Sequence, residues 1–501
     1  MTRFLVRIIV AGMLVIGWSG SAPADWKLDI GYTALQQELG AKMPTGAGVK
    51  VTQVEASSGK PNPGDAQFAG DTFTLKSPSM SISSHATSVG EYFYGKTASI
   101  APGITNIDCY DSGNWITSFL NTGTGTPLIS SSRVANNSYV GIDFLNGQNV
   151  NTLARLDWVV NRDEYIQVVA MNNGGTNYPL MGSSFNAISV GLSNGTAAHG
   201  SYPLATTPTT PYALAGRTLP DLVAPASATS YATPMVASAA ALLVEEGQQG
   251  GTILSTDPKV KFTTNRNGDT IYNADRSEVV KAALMAGASR TSPNLTNSVT
   301  PKGYTVNTAN GLNSTYGAGQ LDIYNSYNII AAGEQNSQQD LPSGGGEIKS
   351  VGFDYEPYFG GLNGSSKTES YVFKATSAGS LSASLVWNLA VNGPTANGFD
   401  TSATLYHLGL YLYDTTSSSE VAYATSLVDD TENIWYTSLR AGDSYLLEVG
   451  SLQATNFLWD YGLAWDINAT TTHAPLPPTV YLLGTGILAL IFLRRKERVS
   501  L

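Results

Sequence analysis

The chain has 501 residues, enough for two or three domains of ~100–200 residues each. Only 13% of them are charged, against ~25% in an average soluble protein, and Gly, Ser, Thr and Asn fill the gap as in many extracellular, loop-rich proteins. A net charge of −11 argues against a nucleic-acid partner, since nothing would neutralise the phosphates, and the single cysteine, Cys109, excludes an internal disulfide framework.

At the N-terminus Arg3 and Arg7 flank and interrupt the start of an apolar run reaching Trp18, and Ala22-x-Ala24 follows as a small-residue cleavage site. Residues 1–24 therefore read as a secretory signal peptide. Over residues 25–333 short apolar runs alternate with helix-like patterns. "GVKVTQVEA" and "YIQVVAMNN" are β-rich and end in polar turns, while "NTLARLDWVV", "TPMVASAAALLVEE" and "RSEVVKAALMAGA" carry apolar residues at three- and four-residue spacing. This alternation predicts an α/β domain built round a parallel sheet, with active groups beyond the carboxyl ends of its strands. Residues 334–347, "EQNSQQDLPSGGGE", read as a polar, glycine-rich linker. Residues 348–470 change to alternating aromatic and β-branched runs such as "LGLYLYDTT" and "DSYLLEVG", the pattern of an all-β sandwich. It collects no catalytic residue types and reads as a binding, packing or spacer module.

Residues 471–501 hold a Pro-rich stretch, an apolar run Val480–Leu493, and the basic cluster Arg494, Arg495, Lys496 and Arg498. The apolar run is shorter than the ~20 residues of a helix that crosses a bilayer. The arrangement resembles the PEP-CTERM class of bacterial sorting signals, with Pro-Leu-Pro in place of Pro-Glu-Pro. That resemblance implies a transient membrane anchor, an exosortase-like transpeptidase as processing partner, and a Gram-negative host. A permanent short anchor is the alternative, and either way the body is exported to the cell envelope, the cell surface or the medium.

"ATSYATPMVASAAALL" puts a hydroxyl, Ser230, where an Ala-rich helix begins. Unsatisfied N–H groups and the positive end of the helix dipole favour negative charge there, and Pro234 falls at the edge of the first turn, where a missing N–H is tolerated. A plain helix cap would explain a lone Ser. The stretch as a whole, with "LPDLVAP" before it, resembles the nucleophile motif Gly-Thr-Ser-x-Ala-x-Pro-x-Val-Ala of the subtilisin-like serine peptidases. A nucleophilic Ser needs a base, and of the four histidines only His85 lies in a fitting context: "SSHATSVGEYFYG" resembles the family's His-Gly-Thr-His-Val-Ala-Gly. Ala86 and Ala228 replace motif glycines, which requires negative φ at both.

The resemblance assigns the remaining roles. "GVKVTQVEASSG" places Glu55 where the family has Asp, so the implied catalytic set is Glu55, His85 and Ser230, a Ser-His-Glu variant with the same charge on a side chain one methylene longer. "IQVVAMNNGGTNYPL" places Asn173 as oxyanion donor and Asn172 at a pocket glycine. "RVANNSYVG" resembles the substrate-pairing strand, which gives Ser138, Tyr139 and Val140 as substrate-binding residues. Extra atoms at Val140 and Asn172 imply a pocket for small or slender P1 side chains. "YGAGQLDIYNSY" resembles the segment that closes the domain. The implied fold is a subtilisin-like three-layer α/β domain followed by the sandwich, and the implied activity is hydrolysis of peptide bonds in a protein or peptide substrate. No organic cofactor is implied. Relatives often bind calcium, and "TTNRNGDTIYNAD", Thr263–Asp275, reads either as a structural calcium site or as a hairpin around an Asn-Gly turn; no full calcium loop is present. The alternative function is a catalytically weak or inactive scaffold that binds at the surface or in the matrix.

Overall fold

Strands buried on both faces favour apolar and β-branched side chains, and "VTQVE" and "IQVVA" are buried at every position, Gln53, Glu55 and Gln167 included. In the computed structural model, which describes residues 25–467 apart from 124, 144–147, 203, 205–209, 296–302 and 341–343, these runs lie inside a seven-stranded sheet. Its strands are β1 (Val51–Glu55), β2 (Thr72–Leu75), β3 (Asn106–Asp111), β4 (Val134–Asn137), β5 (Ile166–Ala170), β6 (Ile188–Leu192) and β7 (Leu222–Ala224). They run in the order β2-β3-β1-β4-β5-β6-β7, and every pairing is parallel. The chain starts in the middle with β1, fills one side, and then returns to pair β4 on the other side of β1. Ligand sites in such sheets form outside the carboxyl ends where the order reverses. Here that places them after Glu55 and Asn137.

The longer helices among the described residues of this domain include α1 (Ser84–Tyr94), α2 (Gln148–Asp163), α3 (Thr229–Gly250), α4 (Ser277–Gly287) and α5 (Ile323–Ala331). Small side chains let α3 lie close on the sheet, and Ala232, Val236, Ala239, Ala240 and Leu243 share one buried cluster with Val168 and Val190. Every residue of α4 is buried. A helix that is covered all round must have a second partner, and the sandwich supplies it.

The sandwich consists of two four-stranded sheets with antiparallel pairings. One orders Val351–Phe359, Trp459–Ile467, Gly379–Val386 and Thr431–Leu439; the other orders Thr368–Lys374, Ser444–Ser451, Leu408–Asp414 and Ser419–Ala424. Leu381, Leu385, Leu410, Leu447 and Trp465 fill the space between them. The α/β domain and the sandwich are the two architectures the residue patterns predict.

The sandwich is more than a spacer, because it is seated on the first domain. Phe353, Tyr355, Val386 and Ala464 belong to the same buried cluster as α3 and α4. At Gly462 an added Cβ would stand 2.9 Å from the Val279 nitrogen, so glycine permits that close approach. Polar bonds cross the joint as well: Arg290 to Ser382 Oγ at 2.6 Å, Leu389 N to Asn186 Oδ1 at 2.6 Å, and Thr218 N to Asp429 Oδ1 at 2.7 Å. Segment Glu334–Asp340, whose composition reads as a linker, is packed rather than loose. Glu334 is buried and accepts from Asp257 N at 2.6 Å, and Gln335 N donates to Phe353 O at 2.8 Å. Glu334, Ser337 and Asp340 are buried there, while Gln338 and Gln339 face solvent.

Thr263–Asp275 contains a hairpin in which Phe262–Thr264 pairs antiparallel with Thr270–Tyr272. Its charged residues are engaged, Arg266 with Asp163 and Asp275 with Arg133, both at 2.6 Å. Among the described residues no group of three or more His, Cys, Asp or Glu could hold a metal ion. The signal and sorting segments, 1–24 and 471–501, lie outside the described residues. Among the described residues no helix is long and apolar enough to cross a membrane.

Candidate active site

Glu55 is the last residue of the central strand β1 and is 2% exposed. The backbone leaves it through Ser57 and Ser58, both at φ 56°, a conformation that glycine favours and that costs other residues strain. Ser58 N, bonded to Asp111 Oδ2 at 2.7 Å, holds that turn. Helix α1 starts one residue before His85, with Ser83 as its cap. Its first turn carries the imidazole to the carboxylate, and His85 Nδ1 lies 2.8 Å from Glu55 Oε2. Ionised Glu55 can only accept, so the proton sits on Nδ1 and the Nε2 lone pair is free. The bond to Glu55 raises the His85 pKa above its ordinary value; burial opposes this, and the charge of Glu55 adds to it.

Ser230 is the second residue of α3. Ala228, at the cap position, is extended at φ −153° and has no side-chain oxygen to offer. Asn173, in the loop after β5, supplies the cap instead: its Oδ1 accepts from Thr229 N at 2.9 Å and from Thr229 Oγ1 at 3.2 Å. That bond leaves the Nδ2 donor on the other side of the amide. Ala86 lies inside α1, and neither alanine is at positive φ.

Pro234 does not sit at the edge of the first turn. The helix begins at Thr229, so Pro234 is inside it and lacks the N–H that the Ser230 carbonyl would accept. Ser138 Oγ fills the place, donating to Ser230 O at 2.9 Å, and is itself held by Asn136 Nδ2 at 2.9 Å. The segment after β4 and the start of α3 are thereby joined.

Glu55, His85, Ser138, Tyr139, Val140, Asn172, Asn173 and Ser230 all line one cavity of about 400 Å³, with Ser57 and Met171 beside them. Among the described residues no hydrogen bond joins the Ser230 hydroxyl to His85. A larger cavity, about 570 Å³, opens at the joint between the domains; Arg290, Asp322 and Trp435 line it, and its walls hold no histidine. His199 is exposed, His407 lies in the sandwich, and His473 is outside the described residues. Burial pushes the Cys109 thiol up to about 12, which suits a core residue and not a nucleophile.

The sequence reading missed two side chains. Gln53 donates to Glu55 Oε1 at 2.8 Å and to the Ala86 carbonyl at 2.8 Å, and the Tyr94 hydroxyl donates to its Oε1. Gln53 stands two residues before Glu55 on one strand, hence on one face. That spacing was the available signal.

No family model matches the chain, and no curated protein matches it. Solved structures similar to it include the prenylagaramide maturation protease PagA, 17% identical with a TM-score of 0.37, covering 56% of this chain and 92% of that one. A cold adapted subtilisin-like serine proteinase is 18% identical with a TM-score of 0.29, covering 46% of this chain and 89% of that one.

Proposed function

We propose that the chain is an exported, subtilisin-like serine endopeptidase working through Ser230, His85 and Glu55. One observation carries the reading: an imidazole bonded through Nδ1 to a buried carboxylate at 2.8 Å shares a cavity with a hydroxyl at a helix start. Ser230 Oγ attacks the scissile carbonyl while His85 Nε2 takes its proton. Glu55 holds the ring in the required tautomer and offsets the charge of the imidazolium. The carbonyl oxygen becomes an oxyanion and accepts from Asn173 Nδ2 and from the Ser230 N–H, which belongs to the free first turn of α3. His85 then protonates the leaving amine, and water returns through the same base to release the acyl group. Val140 and Asn172 narrow the wall for the P1 side chain. The substrate is a protein or peptide, the C-terminal segment is a transient anchor for an exosortase-like transpeptidase, and a structural calcium ion would sit outside this chemistry.

A second reading, a scaffold that binds without cleaving, draws on the missing hydrogen bond between Ser230 and His85. Such bonds are often long in a free enzyme and tighten with substrate. Turnover of an unstructured protein such as casein separates the two. The peptidase reading expects hydrolysis by the wild type and none by Ser230→Ala; equal rates for both would overturn it.

A further inference from the structure

We propose that Gln53, steadied by Tyr94, is the positioning residue that makes a glutamate serviceable at Glu55. The inference rests on the peptidase reading and deepens it.

Glutamate has one more rotatable bond than aspartate, so a carboxylate at a strand end gains freedom where the base needs a fixed partner. Gln53 removes that freedom. Both residues lie on the same face of β1, and Gln53 is 1% exposed. Its Nε2 makes two bonds at 2.8 Å, one to Glu55 Oε1 and one to the Ala86 carbonyl on the helix that carries His85. Both partners are pure acceptors, so the amide nitrogen must face them and the amide oxygen must face Tyr94. Tyr94 is fully buried and its hydroxyl donates to that oxygen. Every hydrogen-bonding direction of the amide nitrogen is thus used, and the side chain cannot flip without placing its oxygen against two acceptors.

Gln53 therefore ties strand β1 to helix α1 at the place where Glu55 meets His85. With Oε1 occupied by Gln53, Oε2 is presented to Nδ1. The titratable groups near this carboxylate include His85 on α1, Tyr94 further along it and, on the neighbouring strand, Cys109 opposite Gln53 and Asp111 opposite Glu55, whose carboxylate accepts from Ser58 N; Tyr231 on α3 faces the imidazole at 6.0 Å between ring centres. Gln53 does not line the cavity, so it acts through Glu55 and not on the substrate.

Steady-state hydrolysis of a peptide substrate by the full chain tests this. Gln53→Leu should lower kcat by about tenfold or more with KM within about threefold, since misplacement of the base by a fraction of an ångström is costly. In a Glu55→Gln background the same change should cost much less, because the carboxylate it positions is gone. An unchanged kcat, or losses that multiply independently in the double variant, would overturn the proposal. Should Gln53→Leu fail to fold, Tyr94→Phe keeps the ring among Phe68, Phe73 and Phe93 and removes the hydroxyl alone. A severalfold drop in kcat at constant KM then supports the proposal, and no change overturns it. A wild type without turnover dependent on Ser230 overturns the peptidase reading and this inference together. Wild-type turnover with an indifferent Gln53 overturns this inference alone.

Discussion

Ser138 donates to the carbonyl of Ser230 at 2.9 Å because Pro234, four residues further on, has no N–H to give it. The proline thus opens an acceptor at the first turn of α3, and the segment after β4 closes it. Ser138→Ala should destabilise the protein by roughly 1 kcal/mol, the usual cost of a lost hydrogen bond. Pro234→Ala in that background should recover part of the loss by restoring the helical donor. Thermal melts of the three proteins check this, and equal melting temperatures for Ser138→Ala and wild type would contradict it.

His85 is held above its ordinary pKa by its bond to Glu55, with burial working against that bond and the charge of Glu55 with it. In the proposed mechanism neutral His85 is the base, so acylation should rise with pH through a midpoint above ~6.5. Glu55→Gln removes the charge and leaves at most a neutral acceptor for Nδ1 against the opposing burial, so the midpoint should fall. Because the folded value is the higher one, the pair's stabilisation is complete below the unfolded value and fades as pH rises through the folded one. The acylation rate of both proteins from pH 5 to 9 is the measurement; coincident profiles would contradict the pairing.

Val140 and Asn172 line the cavity where smaller side chains would leave more room. Cleavage of a peptide library should favour small or slender P1 residues, and Val140→Gly should raise kcat/KM for Phe or Tyr at P1 by about tenfold or more, the scale of one to three kcal/mol in an apolar pocket. Efficient cleavage after Phe by the wild type would contradict it.

Gly462 brings the sandwich onto α4, where an added Cβ would meet Val279 N at 2.9 Å and Glu278 C at 3.0 Å. Both are backbone atoms and cannot swing aside. Gly462→Ala should cost about 1–3 kcal/mol, while Gly346→Ala, with open space around it, should cost nothing measurable. Denaturant unfolding of the two variants distinguishes a seated sandwich from a tethered one.

How much of this was legible depended on how local each signal is. The runs that form β1, β5, α3 and α4 carry their period in consecutive residues, so the α/β domain and the sandwich could be read directly. The segments holding Glu55, His85, Asn173 and Ser230 could be found as short strings, but their meeting in one cavity depends on the crossovers between strands, which no string records. In sequence Gln53 is one polar residue within a strand; its meaning lies in Glu55, Ala86 and Tyr94, up to 41 positions away. The place of Pro234 inside α3 is not written in its neighbours, because the start of the helix is fixed by Asn173 capping Thr229, a partner 56 residues back. Glu334 and Asp340 read as linker because a buried carboxylate bonded to backbone N–H groups is indistinguishable, in sequence, from a solvated one.

In the proposed mechanism the hydroxyl of Ser230 is the nucleophile that His85 and Glu55 activate. Incubation with a fluorophosphonate probe followed by peptide mapping tests that directly. The predicted result is a single adduct on Ser230, absent in Ser230→Ala and strongly slowed in His85→Ala. A folded wild type that takes no label, or one labelled elsewhere with Ser230 unmodified, would contradict it.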